Sequence, residues 1–243
     1  MNKNAGQNQI PFKKLCIVSF FCCLMLLAVT VYLLIRGNYF SILKQVMSDD
    51  TYHYSDNASY IQRQTQFEML PARNTDVVFL GDSITARFEW QGYFTDLCVS
   101  NRGIDSDVCE GVYNRLNTVI NQSPKKIFIM IGINDVRQKI EMSQSVEFYQ
   151  KTIETLQTEL PDCKIYLQSV LPVSSATGID NTIVQAFNAQ IKELAQANSL
   201  TYIDLYSKVV NDHNDFTYTV DGVHPTGEGY QIWMDAISGY VYE

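Results

Sequence analysis

Histidine is scarce in this chain. His53, His213 and His224 are the three present, and no Cys-x-x-Cys pair occurs, so no metal-ligand cluster of familiar spacing is visible and no cofactor is implied. Six cysteines look like a disulfide framework until they are placed. Cys16, Cys22 and Cys23 fall in one apolar run, where a thiol packs as a small hydrophobe. Cys98, Cys109 and Cys163 remain, an odd set that leaves room for one bridge without assigning it. The sequence contains no internal repeat and no low-complexity segment.

Acidic residues are missing before Asp49, whereas Lys3, Lys13, Lys14 and Arg36 are basic. Beyond residue 36 the chain holds 14 bases against all 26 acids, a net charge of −12. That balance argues against nucleic acid or anionic lipid as a partner held by charge, and reads as a solvated acidic surface. A length of 243 residues fits one domain of roughly 200 residues plus an appendage. Such a domain buries a core without covalent staples.

The appendage is residues 15–35, an uncharged run of Leu, Val, Ile, Phe, Cys and Met. About 20 apolar residues cross a bilayer core as a helix. Basic residues weigh slightly more on the N-terminal side, which favours a cytoplasmic N-terminus and an extracytoplasmic remainder at the cell membrane. A cleaved signal peptide is the first alternative and a buried helix of a soluble domain the second. The apolar stretch of a signal peptide is shorter and ends at small residues, whereas this run ends Leu33-Leu34-Ile35-Arg36. The expected organisation is a tail (1–14), a transmembrane anchor (15–35), a juxtamembrane connector with a helix near residues 60–70 (36–73) and one α/β domain (74–243).

Within 74–243, strands and helices alternate. Residues 77–80, 97–99, 126–131, 164–170 and 201–205 read as strands. Residues 107–120, 143–160 and 181–198 have helical spacing, and Tyr230, Trp233, Met234 and Ile237 stripe a last helix. Alternation of this kind implies a parallel sheet covered on both faces, with sites outside the carboxyl ends of the strands.

Four blocks carry chemistry. Leu80-Gly81-Asp82-Ser83 follows an apolar strand, so a serine hydroxyl stands at the lip of a sheet. Alone it is ordinary turn chemistry. Asn101-Arg102-Gly103, Gly132-Ile133-Asn134-Asp135 and Asp221-Gly222-Val223-His224-Pro225 follow in order. Serine needs a base to act as a nucleophile at neutral pH, and His224 is the candidate. Asp221, three residues earlier, can accept the imidazole Nδ1–H and fix its tautomer. Acyl transfer needs donors aimed at the developing oxyanion, each worth roughly 2.7–4 kcal/mol when well placed. The Ser83 N–H, the Gly103 N–H and the Asn134 amide are candidates. Asp82, Trp90 and Asp105 lie close enough in sequence to line a cleft. For Trp90 a core role is equally compatible, and Asn134-Asp135 also suits a helix cap. His53 and His213 read as surface residues.

On these residues the chain resembles the SGNH (GDSL-type) esterase and lipase family, over about residues 74–240. Glu110-Gly111-Val112-Tyr113-Asn114-Arg115-Leu116, Ser169-Val170-Leu171-Pro172-Val173 and Tyr202-Ile203-Asp204-Leu205-Tyr206 are similar to a branch of acetylesterases and platelet-activating-factor acetylhydrolase-like proteins. The resemblance implies a flavodoxin-like three-layer α/β/α sandwich. It implies Ser83 as nucleophile, His224 as base, Asp221 as its orienting partner, and Gly103 and Asn134 in the oxyanion hole, with no cofactor and no metal. Asp105 stands where that branch more often has a small residue, and Thr85 excludes the nucleophile elbow of α/β-hydrolases. The expected activity is a membrane-anchored serine esterase acting on a small-molecule or glycan ester, an O-acetyl group first among them. An O-acyltransferase, a lysophospholipase- or thioesterase-type acylhydrolase and a non-catalytic glycan-binding protein are the alternatives. Acyl length and oligomeric state are not encoded in any motif.

Overall fold

The computed structural model describes residues 12–36 and 52–243. The chain divides into two compact units, Met1–Thr51 and Tyr52–Glu243. In the first unit helix α1, Phe12–Arg36, contains the whole apolar run. Its described side chains, Ile17 and residues 19–32, are exposed. Among the described residues, which for side chains in α1 are these fifteen, no helix is long and apolar enough to cross a membrane.

The second unit begins with a short 3-10 turn, Tyr54–Asp56, and α2, Ala58–Met69. Then come β1 (Val77–Gly81), α3 (Ser83–Ala86), α4 (Trp90–Tyr93), β2 (Val99–Gly103), α5 (Cys109–Asn114) and α6 (Asn117–Ile120). β3 (Lys126–Met130), α7 (Ile133–Arg137), α8 (Met142–Glu159), β4 (Lys164–Gln168), α9 (Asn181–Ala197), β5 (Thr201–Ile203), α10 (Tyr206–Val209) and α11 (Gly227–Tyr242) complete it. All five strands are parallel, in the order β2-β1-β3-β4-β5. This is the flavodoxin-like order, whose switch point lies between β1 and β3.

β1 is buried at every residue, and β3 and β4 at all but the first, as strands covered on both faces should be. The register aligns Phe79, Phe128 and Tyr166 on one face. There Phe79 stacks on Trp90, and Tyr166 meets Tyr240 of α11. Alternation sends Val78, Leu80, Ile127, Ile129, Ile165 and Leu167 to the opposite face. Each of these is buried.

Two expectations shift. The second strand runs Val99–Gly103 instead of 97–99, because the polar residues Ser100, Asn101 and Arg102 hide it from an apolar reading. Those residues find partners in the fold: Arg102 Nε donates to Thr118 O and its guanidinium lies over the Phe67 ring of α2, although its Nη2 is buried without a hydrogen-bond partner, and Ser100 accepts from Arg73. α2, anticipated near residues 60–70, therefore covers this edge of the sheet, burying Tyr60 and Phe67 with Ile104. The helix read over 107–120 is two helices, α5 and α6, parted at Arg115. Its side chain turns inward instead of continuing a helical face. Arg115 Nε meets Asp107 Oδ2 at 2.8 Å, both side chains fully buried. Cys98, Cys109 and Cys163 are free thiols.

Breaking a buried ion pair leaves a charge without compensation, at a cost of about 3–5 kcal/mol, whereas replacing both partners by apolar groups costs far less. Arg115→Met should therefore lower the unfolding free energy obtained from urea denaturation by that order, and Asp107→Leu/Arg115→Met should recover much of the loss. A double variant weaker than the single one would contradict this.

Candidate active site

β1 ends in Gly81, and Asp82 turns the chain so that Ser83 opens α3. The Asp82 carboxylate caps that turn by accepting from Ile84 N–H at 2.9 Å. At the first helical position the Ser83 N–H has no intrahelical acceptor, which leaves it free for a ligand. α11 steadies the turn: the Tyr230 hydroxyl donates to Ile84 O at 2.7 Å.

His224 arrives from the loop before α11. Ser83 Oγ lies 2.8 Å from His224 Nε2, and His224 Nδ1 lies 2.6 Å from Asp221 Oδ2. A carboxylate can only accept, so Nδ1 carries the proton and Nε2 is left to accept from the serine hydroxyl. Asp221 Oδ1 also accepts from the backbone N–H of His224 and of Val223 and from the Thr219 hydroxyl. Partial burial pushes this carboxyl up, but the His224 N–H, the imidazole and the Val223 N–H outweigh it and hold it well below the usual carboxylate range. Gly222 has φ of +90°, the left-handed region that this Asp-x-x-His loop needs and that glycine enters without a steric penalty. Its carbonyl accepts from Ser174 N–H, and Thr226 caps α11.

Asn134, in α7 just beyond β3, donates one amide hydrogen to Asp107 O at 2.9 Å. The second amide hydrogen remains for a ligand. Gly103 departs from the expectation. Its N–H is already given to Asn101 Oδ1 at 2.9 Å. A Cβ at Gly103 would lie 2.2 Å from Ala86 N and 2.7 Å from Asp82 O. This glycine lets β2 approach the nucleophile turn, and its N–H is not an oxyanion donor in this structure.

The three suggested cleft residues also resolve. Trp90 is 1% exposed, donates to Thr85 O and stacks on Phe79, so it is core and not cleft. Asp82 is buried as the cap. Asp105 is half-exposed and pairs with Arg87 at 3.2 Å beside the site. Asp135 accepts from Cys109 N–H with both oxygens and from the Ser145 hydroxyl. It thus caps α5 from another element, which adjacency in sequence could not reveal. His53 and His213 are exposed. Sequence reading missed Tyr230 as a brace of the nucleophile turn, because its helical stripe reads as core alone. Among the described residues no group of three or more His, Cys, Asp or Glu could hold a metal ion.

The arrangement can do acyl-transfer chemistry: a hydroxyl on a base, the base on a carboxylate, and donors at the carboxyl ends of β1 and β3. Comparison with known proteins agrees. The family model of the GDSL-like lipase/acylhydrolase family matches residues 79–232. A GDSL-like lipase from Bacteroides thetaiotaomicron is 28% identical with a TM-score of 0.64, covering 76% of this chain and 98% of that one. An acetyl xylan esterase shares the fold at 22% identity and a TM-score of 0.58, covering 68% of this chain and 99% of that one. The N-acylneuraminate cytidylyltransferase of Escherichia coli O18:K1:H7 is 25% identical over 170 residues, which is 69% of this chain. This chain matches 40% of that relative's length.

Burial pushes the Asp82 carboxyl up to about 7, the Ile84 N–H opposing and Asp107, Asp135 and Asp105 adding to the rise. The folded chain thus keeps a proton that the unfolded chain has lost. The stability this contributes is full below about pH 4 and disappears as pH rises through the folded value. Asp82→Asn keeps the cap with a neutral group. Its unfolding free energy relative to the parent should rise with pH across that window; a flat or falling difference in denaturation curves would contradict the assignment.

Proposed function

This chain belongs to the GDSL-like lipase/acylhydrolase family and is a serine ester hydrolase, and we propose that Ser83 is its nucleophile and a short-chain carbohydrate ester, above all an O-acetyl group, its substrate. The carrying observation is the continuous line from Ser83 Oγ through His224 to Asp221 Oδ2. Ser83 Oγ attacks the ester carbonyl carbon while His224 Nε2 takes its proton. The tetrahedral oxyanion is held by the Ser83 N–H and the free amide hydrogen of Asn134. His224 then returns the proton to the leaving alcohol oxygen, and the acyl group stays on Ser83. Water repeats the sequence, releasing the acid and restoring the hydroxyl. Asp221 keeps the imidazole in its tautomer and offsets the positive charge it gains.

Several observations support a short acyl group on a polar alcohol. Polar groups accompany His224: Asp221 and Thr219 in its own loop and the Arg87–Asp105 pair beside the nucleophile turn, with Val220 the exposed apolar residue of that loop. Trp90 offers no aromatic wall, being spent in the core. A fold relative is itself an acetyl xylan esterase. We further propose that residues 15–35, all within α1, anchor the chain with its N-terminus cytoplasmic and Ser83 outside. The uncharged length of the run and the lysines before it support that reading.

With full-length protein in detergent, p-nitrophenyl acetate should be hydrolysed faster than butyrate, and octanoate slowest. Ser83→Ala should lower kcat by ~10⁴-fold or more, and Asn134→Ala by ~10²–10³-fold. A faster octanoate reaction would overturn the short-chain assignment. Transfer of the acetyl group to an added sugar, with no hydrolysis in its absence, would make the enzyme a transferase.

On cell fractionation the full chain should stay with membranes through alkaline carbonate washing and dissolve in detergent. Release by carbonate alone would refute the anchor.

A further inference from the structure

Two carbonyl oxygens in the turn after β2 are gripped by the segment that precedes α2. Asn57 Nδ2 donates to Asp105 O at 2.9 Å, and the Tyr52 hydroxyl donates to Ser106 O at 2.6 Å. Between these contacts Ser106 has φ of +61°, a left-handed conformation for a residue that carries a Cβ. Such conformations persist only where the surroundings over-determine them, and they gather at functional sites. Burial pushes the Tyr52 hydroxyl above its ordinary range, the bond with Asn57 opposing and Asp107 and Asp135 adding. Tyr52 is therefore a proton donor throughout neutral pH.

The same turn reaches the site from its other side. Arg87, in the turn that closes α3, pairs with the Asp105 carboxylate, and Asn134 donates to Asp107 O. Every peptide here is trans. In a trans peptide the N–H points opposite to the C=O. Drawing Asp105 O toward Asn57 therefore turns the Ser106 N–H the other way. The Gly103 N–H, the expected second backbone donor, is spent on Asn101.

We propose that Asn57 and Tyr52 are positioning residues of the ester hydrolase: by holding the Asp105 carbonyl outward Asn57 aims the Ser106 N–H into the oxyanion hole, where it completes the set with Ser83 N–H and Asn134, while Tyr52 pins the following peptide, whose Asp107 N–H is given to Ile104 O, and so holds Ser106 in its left-handed conformation. This rests on the assignment of Ser83 as nucleophile. It gives the segment 52–57 a part in rate as well as in packing, since Asn57 and Tyr52 lie outside all four motif blocks.

Asn57 also caps α2, its Oδ1 accepting from Ser59 N–H. Asn57→Asp and Asn57→Ser keep a capping oxygen and delete the amide donor; Tyr52→Phe deletes one hydroxyl. Each variant, as full-length protein in detergent, is assayed with p-nitrophenyl acetate and with a fluorophosphonate that labels the nucleophile. Each should lower kcat roughly 10-fold, with KM within about twofold and the thermal midpoint unchanged, as loss of transition-state stabilisation requires. Labelling should slow in parallel. If the parent is active and the variants keep its kcat, the positioning role is overturned while the esterase stands. A fall in kcat seen only with a matching loss of thermal stability also overturns it, because plain packing would produce that. A parent that neither hydrolyses ester nor takes the label overturns the nucleophile assignment and this proposal with it.

Discussion

The Arg115 guanidinium ties together the ends of separate strands. Its Nε holds the Asp107 carboxylate at 2.8 Å, and its Nη2 donates to Gly81 O at 3.0 Å. Gly81 is the last residue of β1, two before Ser83, and Asp107 belongs to the turn after β2. Asp107 O in turn accepts from Asn134, which follows β3. Nucleophile, turn and amide donor thus share one buried polar network at the switch point of the sheet. Desolvating two charges is costly, so the pair is poor evidence of stability for its own sake. What it supplies is register: three chain segments cannot slide apart without stranding a charge in the core.

Against this rigid edge the base is held more openly. Asp221 and His224 sit in a half-exposed loop whose shape comes from local bonds: the Asp221 carboxylate to two backbone N–H groups, Gly222 at positive φ, and Thr226 at the head of α11. Tyr230 of α11 reaches Ile84 O, so the helix that follows the base also braces the nucleophile turn. Acyl chemistry benefits from this division. The proposed oxyanion donors are fixed at the ends of the sheet, while the Asp221 carboxylate and the His224 imidazole stand nearer the solvent.

That the Gly-Asp-Ser and Asp-x-x-His blocks meet was legible because the proposed chemistry restricts residue type and spacing within a few positions: one follows a strand, the other precedes a helix. The central strands were legible because burial on both faces makes them continuous apolar runs. Other features depend on contacts that no local pattern encodes. β2 is polar because Arg102 and Ser100 find partners in α2 and the loops. The helix broken at Arg115 reads as one helix until the guanidinium is seen turned to Asp107. Gly103 carries the right residue type for an oxyanion donor, but its neighbour Asn101 takes the N–H. Trp90 is close to Ser83 in sequence and faces the opposite way. Asn57 and Tyr52 meet the turn at Asp105 and Ser106 across about fifty residues of chain, a distance at which periodicity is silent.

The central claim is that Ser83, activated by His224, is the single nucleophile of an ester hydrolase. Peptide mapping after treatment with a fluorophosphonate probes it most directly. The account predicts one stoichiometric adduct, on Ser83, absent when His224 is replaced by Ala, with ester hydrolysis lost in proportion to labelling. An adduct on another residue, or hydrolysis that continues after Ser83 is fully blocked, would contradict it.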